Sequence, residues 1–244
     1  MILKTEAIVL KSFDFRETSR IATFFTKEYG KVSGVLKGIR TDHRKFGSSV
    51  DRFSVNDIVY YQYRNSDLHL ISQCDLREFF FPIRQDLKKS IAASYILELV
   101  NLVMPAEEKN DQVYALMVNF LSDLQQFADT NLLVHIFQIK ILLYSGFKPH
   151  LDTCLKCKTK VSATARFSLP EGGLICVSCP LTDAAVYVIS PGAIASLLYI
   201  EKNHWSNCLK LRLTETVKKE LKSMLNNFLI FHLGRKVRSA RYLN

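Results

Sequence analysis

The chain is organised around two short cysteine motifs, Cys154-Leu155-Lys156-Cys157 and Cys176-Val177-Ser178-Cys179. Eighteen residues, 158–175, separate the two motifs. Two CxxC pairs at this separation are typical of a four-thiolate zinc site, because two intervening residues let a tight turn aim both sulfurs at one point. Zn²⁺ held by four thiolates has no open coordination position, so the pattern predicts one structural zinc ion per chain.

The residues between the motifs predict a hairpin that carries the second cysteine pair to the first. Residues 166–169 and 174–175 flank the turn sequence Pro170-Glu171-Gly172-Gly173 and predict two short strands. Two disulfides, or one redox-active pair, are the alternative uses of these cysteines. Nothing in the sequence has a secretory character, and two pairs in register argue against a redox pair. The pattern therefore favours zinc.

Composition sets the broad class of protein. The chain has 244 residues, of which 48% are hydrophobic, enough for a packed core and one large or two modest domains. No apolar run reaches the ~18 residues that span a bilayer, and residues 1–6 lack the layout of a signal peptide. We expect no membrane association and a cytoplasmic location in which the thiols stay reduced.

The basic charge is unevenly distributed. The formal net charge is +10, with +3 in residues 1–80, −2 in residues 81–153, +3 in residues 154–182 and +6 in residues 183–244. Cations concentrated at the two ends and at the cysteine segment indicate a polyanionic partner, most often nucleic acid. The alternative is a basic protein whose charges serve only its solubility.

Residues 1–80 predict a small barrel. Five segments have strand character: 2–11, 20–26, 31–37, 57–63 and 68–76. Five short strands in so few residues favour a closed barrel of the oligonucleotide-binding (OB) type. Gly34, inside the third strand, predicts a bulge or a sharp bend.

A basic loop, residues 38–49, follows the third predicted strand. It carries Arg40, Arg44 and Lys45, which could pair phosphates, and Phe46, which could stack on a base. A solvated loop whose Phe46 folds back onto the core is the other interpretation.

Residues 81–244 predict a helical domain in which a zinc knuckle, residues 150–182, is inserted. The helical segments are 90–104, 113–127, 132–144, 190–202 and a last long helix that begins after Thr214. His135 lies within the third of these and fits a packed core residue better than a metal ligand. The fold class is thus α+β, with the barrel first and the helices after it.

The last long helix separates apolar from basic residues. Its apolar side runs from Val217 to Phe231, whereas Lys218, Lys219 and Lys222 are predicted to face outward. Four more cations follow the helix, and they either compensate its dipole as a solvated tail or contact phosphates. These are Arg235, Lys236, Arg238 and Arg241.

No catalytic motif stands out. The sequence has no glycine-rich phosphate loop, no His-Glu-x-x-His and no Gly-x-Ser-x-Gly. A binding protein is therefore expected rather than an enzyme.

The order of these parts resembles the bacterial recombination mediator family RecO. Five stretches carry the resemblance: 6–10, 15–21, 35–40, 144–154 and 231–239. The resemblance covers essentially the whole chain, although Asp42 and His43 stand in a loop that is more uniformly basic in the family.

The resemblance implies a protein of DNA repair that is not an enzyme. It implies binding to single- and double-stranded DNA, annealing of complementary strands, and action with RecR to load RecA onto DNA coated by single-strand binding protein. The expected nucleic-acid contacts are Arg16, Arg20, Lys37, Arg40, Arg44, Lys45, Arg235, Lys236, Arg238 and Arg241.

The resemblance also implies a protein partner for the helical domain. Lys218, Lys219 and Lys222, beside an apolar stripe, would hold the acidic, apolar-ended C-terminal tail of single-strand binding protein. A zinc-ribbon protein of RNA or transcription, with its barrel on structured RNA, is the runner-up.

Overall fold

The N-terminal strands form a closed five-stranded barrel in the order β1-β2-β3-β5-β4. The structure, a computed structural model, describes residues 1–41, 46, 50–180 and 185–243. Pairing is antiparallel except between β3 and β5, and β4 closes the barrel onto β1. This arrangement confirms the predicted OB-type barrel. The strands are β1 (Ile2–Phe15), β2 (Ser19–Thr26), β3 (Gly30–Leu36), β4 (Ser54–Tyr61) and β5 (Leu68–Phe79).

The barrel interior is apolar and includes a residue of the basic loop. Leu3, Ala7 and Val9 of β1 point inward, as their alternation predicts. Phe46 is only 3% exposed and packs in the same core. Of the two interpretations of Phe46, stacking on a base is therefore wrong and folding back onto the core is confirmed, because burying its ring is the more favourable use of that apolar surface.

Gly34 serves close packing rather than a bulge. The β2–β3 register runs without interruption through Ala22 and Gly34, and the irregularity in β1 lies between Val9 and Lys11. A Cβ atom at residue 34 would lie 2.4 Å from Cδ1 of Ile71. Of the predicted bulge or sharp bend, the bulge is wrong, and a side chain at residue 34 would have to displace that of Ile71.

Seven α-helices and one 3₁₀ helix occupy the described residues after the barrel. Polar side chains cap the long ones: Asp86, Asn110, Asp129, Ser190 and Thr214 each accept a hydrogen bond from a backbone N–H in the first turn. The helices are α1 (Phe81–Gln85), α2 (Leu87–Val103), α3 (Asp111–Leu124), α4 (Thr130–Tyr144), α5 (Pro191–Lys202), α6 (Trp205–Cys208), α7 (Glu215–Leu233) and the 3₁₀ helix Arg238–Tyr242.

A small antiparallel sheet carries the cysteine segment. Its strands are β6 (Ala165–Ser168), β7 (Gly173–Cys176) and β8 (Val186–Ile189), with β6 in the centre. The β6–β7 hairpin is the one that the sequence predicts between the cysteine pairs.

The described chain divides into two compact units. One contains residues 1–127 and 237–243, and the other contains residues 128–236. The first three helices thus group with the barrel, while the domain division at residue 80 stays a prediction. Within the described residues, no helix has both the length and the apolar character needed to cross a membrane.

Contacts at the start of β3 tie α2 and the α2–α3 connection to the barrel in the first unit. Lys31 Nζ donates to the carbonyl oxygen of Asn101 at 2.8 Å. The backbone N–H of Glu107 donates to the carbonyl oxygen of Lys31 at 3.0 Å. Gly30 has φ of 65°, and a Cβ there would lie 2.1 Å from the carbonyl oxygen of Glu108. This close approach of two backbones requires glycine.

Candidate functional site

The four cysteines of the two motifs converge. Their sulfur atoms all lie within 4.8 Å of one another. The Cys154 and Cys179 sulfurs are 3.9 Å apart, and those of Cys157 and Cys176 are 3.8 Å apart. A tetrahedron of sulfurs with zinc–sulfur bonds of 2.3 Å has edges of about 3.8 Å, so the spacing fits four-thiolate coordination. The sequence prediction that these residues form one cluster is confirmed.

Two backbone turns present the sulfurs. In the first, the N–H of Lys158 donates to the Cys154 carbonyl at 2.9 Å, and Lys158 takes a φ of 62°. In the second, the N–H of Cys179 donates to the Cys176 carbonyl at 3.3 Å. The N–H of Cys176 also donates to the Cys154 sulfur at 3.3 Å, so the second turn supports the first.

The acidity of the thiols fits a site that takes a cation. Burial opposes ionisation of Cys154, but backbone N–H groups of Cys157, Cys176 and Lys156 outweigh it and lower the pKa of Cys154 to about 6. Hydrogen bonding with Cys176 and Cys157 raises the pKa of Cys179 to about 12. Four thiols so close together cannot all ionise alone, whereas a divalent cation would hold all four as thiolates.

Arg166 is a supporting residue that sequence reasoning missed. Its Nη2 donates to the carbonyl oxygens of Cys176 at 2.7 Å, Val177 at 3.1 Å and Cys179 at 2.6 Å. The guanidinium therefore links three carbonyl groups of the second turn and stabilises its conformation. Arg166 pairs with Ile175 of β7, one residue before Cys176, and the presence of a cation within this short strand was the available signal.

The second candidate site is a group of cations at one end of the barrel. Arg20 Nε lies 3.0 Å from one carboxylate oxygen of Asp14, and Arg40 Nε lies 3.6 Å from the other. Arg40 Nη1 also donates to the carbonyl of Arg16 at 3.2 Å. The turn between β1 and β2 and the chain after β3 thus bring Arg16, Arg20 and Arg40 together.

Of the remaining cations predicted to contact nucleic acid from the barrel, the structure describes Lys37 but not Arg44 or Lys45. Lys37 is exposed and directly follows Leu36, the residue that pairs with Arg20 across β2 and β3. Arg44 and Lys45 lie outside the described residues, so their nucleic-acid contacts stay predictions.

A cleft of about 460 Å³ opens beside this group, and sequence reasoning missed most of it. It draws on β1, β2, the chain before β4 and α1, segments far apart in the sequence. No sequence period joins them, so only the fold reveals the cleft. Its lining is Ser12, Phe13, Asp14, Arg20, Asp51, Arg52, Phe53 and Arg84.

The predicted cations at the C-terminal end belong to two different units. Arg235 and Lys236 are exposed after the left-handed cap Gly234 and belong to the second unit. Arg238 and Arg241 belong to the first, where Arg241 stacks over the Tyr242 ring at 4.6 Å.

The predicted partner-binding cations on α7 are not equivalent. Lys218 is not a free outward cation, because its Nζ lies 2.8 Å from a carboxylate oxygen of Asp129 and 3.0 Å from one of Glu215. These bonds raise the pKa of Lys218 and fasten the start of α7 to the cap of α4. Lys219 is exposed and Lys222 half-buried. Contact of these three lysines with a partner stays a prediction.

One apolar residue predicted to face inward is exposed. Phe231 is 49% exposed, which makes that prediction wrong. It lies on the last turn of α7, where its ring contacts His232, and His232 in turn contacts Phe147. The end of α7 therefore presents aromatic surface directly before Arg235 and Lys236.

The fold and the cysteine site define a class: an OB-type barrel followed by helices that carry a four-cysteine knuckle. Two family profiles match this chain in succession. Recombination protein O N terminal matches residues 1–80, and Recombination protein O C terminal matches residues 84–241.

Relatives named DNA repair protein RecO match along nearly their full length. That of Alkaliphilus metalliredigens is 30% identical over 96% of this chain and 95% of its own. That of Caldanaerobacter subterraneus is 31% identical over 98% of this chain and 96% of its own. That of Moorella thermoacetica is 26% identical over 100% of this chain and 91% of its own. The chain belongs to the RecO family.

Proposed function

We propose that this protein is a mediator of DNA repair and homologous recombination that works by binding rather than by catalysis. It binds single- and double-stranded DNA, anneals complementary strands, and with RecR helps to load RecA onto DNA coated by single-strand binding protein, on the bacterial nucleoid. The observation that carries the proposal is the match of both halves of the RecO family, in order, along the chain. The grouped cations of the barrel support it.

We assign a structural zinc ion to Cys154, Cys157, Cys176 and Cys179. When bound, zinc would cross-link the two turns and contribute folding free energy outright. Purified protein should carry about one zinc per chain, and Cys176→Ser should lower both the zinc content and the melting temperature. Metal-free wild-type protein with an unchanged melting profile would refute the assignment.

The barrel cations supply the DNA contact in this proposal. Arg16, Arg20 and Arg40 present guanidinium groups close together, and each phosphate that they neutralise releases counterions. Affinity for single-stranded DNA should therefore fall steeply with salt, with about −0.7 in the log–log slope for each contact. The triple change to Gln should flatten that slope by about two, whereas Lys88→Gln on α2 should not.

The comparison of DNA with RNA decides between the proposal and its runner-up. The same titration is run with a DNA strand and an RNA strand of matched sequence. Preference for DNA, or equal binding, supports the repair protein. A strong preference for structured RNA would favour the zinc-ribbon protein of RNA or transcription.

The partner surface is proposed on α7, at Lys218, Lys219, Lys222 and the aromatic end of the helix. An acidic tail that ends in an aromatic residue needs apolar surface for its ring and cations for its carboxylates. The apolar surface is offered by Phe147 and Phe231. The cations are Lys219, Arg235 and Lys236.

A tail peptide of single-strand binding protein tests this surface on the full chain. Phe231→Ala should weaken binding about tenfold or more, while Tyr199→Ala, an exposed aromatic elsewhere in the second unit, should not. Lys219→Glu should also weaken it. Lys218→Glu is unsuitable, because it would break the bond to Asp129 and disturb the fold. Equal binding by wild type and Phe231→Ala would place the tail elsewhere.

A further inference from the structure

The cleft beside the barrel cations combines guanidinium groups with aromatic rings. Three arginines, Arg20, Arg52 and Arg84, line it together with Phe13 and Phe53. Its volume of about 460 Å³ lies within the range of pockets that hold small ligands. All of its lining belongs to the first unit, where the barrel, the chain before β4 and α1 build the site.

One aromatic side chain of the cleft is open to solvent. Phe13 is 50% exposed, although it lies within β1 and pairs with Ile21 of β2. A half-exposed phenylalanine in a regular strand leaves apolar ring surface in water. That surface is available to stack on a flat partner such as an unpaired base.

Two of the three arginines, Arg52 and Arg84, stack on aromatic rings, whereas Arg20 is paired with Asp14. Arg84 lies 4.1 Å from the centre of the Phe79 ring and 5.6 Å from that of Phe53, and its Nη2 donates to the carbonyl oxygen of Arg52. Arg52 lies 5.7 Å from the Phe53 ring. Along the part of the chain that the structure describes, neither guanidinium lies within ion-pair distance of a carboxylate.

The backbone at Phe53 fixes this arrangement. Phe53 takes a φ of 62°, which is rare for a bulky residue, and its side chain is buried. Its carbonyl oxygen accepts from the N–H of Phe80 at 3.3 Å. The buried ring cannot itself stack on a ligand, but the guanidinium groups of Arg52 and Arg84 both lie within 6 Å of its centre, at 5.7 and 5.6 Å.

We propose that this cleft is a subsite for one unpaired nucleotide of a DNA strand. The base stacks on Phe13, and the flanking phosphates pair with Arg20 and Arg52, while Arg84 acts from its stacked position as a fixed positive charge. A duplex keeps its base faces covered, so Phe13 contributes only to single-stranded binding. The proposal rests on the DNA-binding function given above and names the residues that distinguish single strands from duplexes.

The test uses the zinc-loaded full chain and a fluorescent oligo-dT strand. Phe13→Ala should weaken single-strand binding about 5- to 100-fold, leave its salt slope unchanged, and leave duplex binding as in wild type. Arg52→Gln should weaken binding and flatten the salt slope by about 0.7. Matched controls come from the β4–β5 connection: Tyr63→Ala, an exposed aromatic, and Arg64→Gln should both match wild type.

A spectroscopic signal tests the stacking directly. In a Trp205→Phe background, which removes the one native tryptophan, Phe13→Trp should show fluorescence quenched by oligo-dT, whereas Tyr63→Trp should not.

Wild-type protein without salt-dependent DNA binding would overturn the proposed function itself. Wild-type binding with Phe13→Ala and Arg52→Gln equal to their controls would overturn only the subsite. Equal losses by Phe13→Ala on single strands and duplexes would also overturn it.

Discussion

Asp14 shows how a single acidic residue controls a basic surface. Its two carboxylate oxygens face Arg20 and Arg40, so both guanidinium groups are already paired in the free protein. A phosphate must compete with this carboxylate for both of them. The acid therefore positions the two cations and, at the same time, weakens their contact with DNA.

Removing that carboxylate should strengthen DNA binding. Asp14→Asn keeps the shape of the side chain and removes one competing charge, so affinity for oligo-dT at moderate salt should rise about two- to fivefold, the effect of an exposed pair. Asp67→Asn, an exposed acid on the β4–β5 connection, makes the same change of net charge elsewhere and should have a smaller effect. A loss of affinity in Asp14→Asn would mean that positioning outweighs competition. Binding is measured by fluorescence anisotropy.

Arg166 makes a separate prediction at the cysteine site. Its three hydrogen bonds close the second turn, and loss of such outer support typically costs 10–100-fold in metal affinity. Arg166→Ala should therefore release zinc to a competing chelator at least tenfold more readily. Lys160→Ala, which removes an exposed cation of the same segment, should behave as wild type. Equal zinc retention in both variants would show that Arg166 serves another purpose.

At the scale of elements, sequence patterns predicted the existence of each long segment better than its ends. The alternation in β1 and the turn residues at 170–173 gave the barrel strand and the knuckle hairpin, because both signals are local. Helices α2, α3 and α4 begin two or three residues earlier than predicted. Their caps, Asp86, Asn110 and Asp129, precede the first apolar residue on which the prediction relied.

Features that join distant segments could not be predicted. Phe46 lies in a polar stretch for which the sequence left two interpretations open, and only the barrel shows that it fills the core. Phe231 continues the apolar period of α7 into its last turn, yet its ring stays exposed. In the same way, Arg166 and Arg84 act through residues that the sequence does not place beside them.

The C-terminal 3₁₀ helix is anchored by one glutamate of α2. The backbone N–H groups of Arg238 and Ser239 donate to the Glu98 carboxylate at 2.7 and 2.9 Å. Burial alone would raise the pKa of Glu98, but hydrogen bonds from Ser239 and Arg238 outweigh it, so the pKa lies below its usual value. The ionised form is the one that holds the segment.

This anchor should be lost in acid. A carboxylate with a depressed pKa contributes stability above its usual pKa, and that contribution disappears as the pH falls through the lower, folded value. Hydrogen exchange at residues 238–239 should therefore quicken in Glu98→Gln at neutral pH, and in wild type only at acidic pH after correction for intrinsic rates. Glu108→Gln, on the exposed α2–α3 connection, should leave exchange unchanged. Unaltered protection in Glu98→Gln would exclude the anchor.

At the scale of the whole molecule, the excess charge is divided among surfaces with different tasks. Cations of the barrel surround the proposed DNA site, whereas Lys218 fastens two helices of the second unit. Net charge alone therefore predicted a polyanionic partner without locating it. To locate the binding site, one has to know the contacts of each cation. These contacts separate Arg52 and Arg84, which stack on aromatic rings, from the cations that carboxylates already hold.

The annealing of two complementary DNA strands, each coated with bacterial single-strand binding protein, tests the proposed function most directly. The zinc-loaded protein should accelerate duplex formation well above the spontaneous rate, and rising salt or the triple change of Arg16, Arg20 and Arg40 to Gln should reduce that acceleration. Phe231→Ala should slow annealing of coated strands more than of bare ones. If folded, zinc-loaded protein leaves coated and bare strands to anneal at their spontaneous rates, the assignment as a recombination mediator is contradicted.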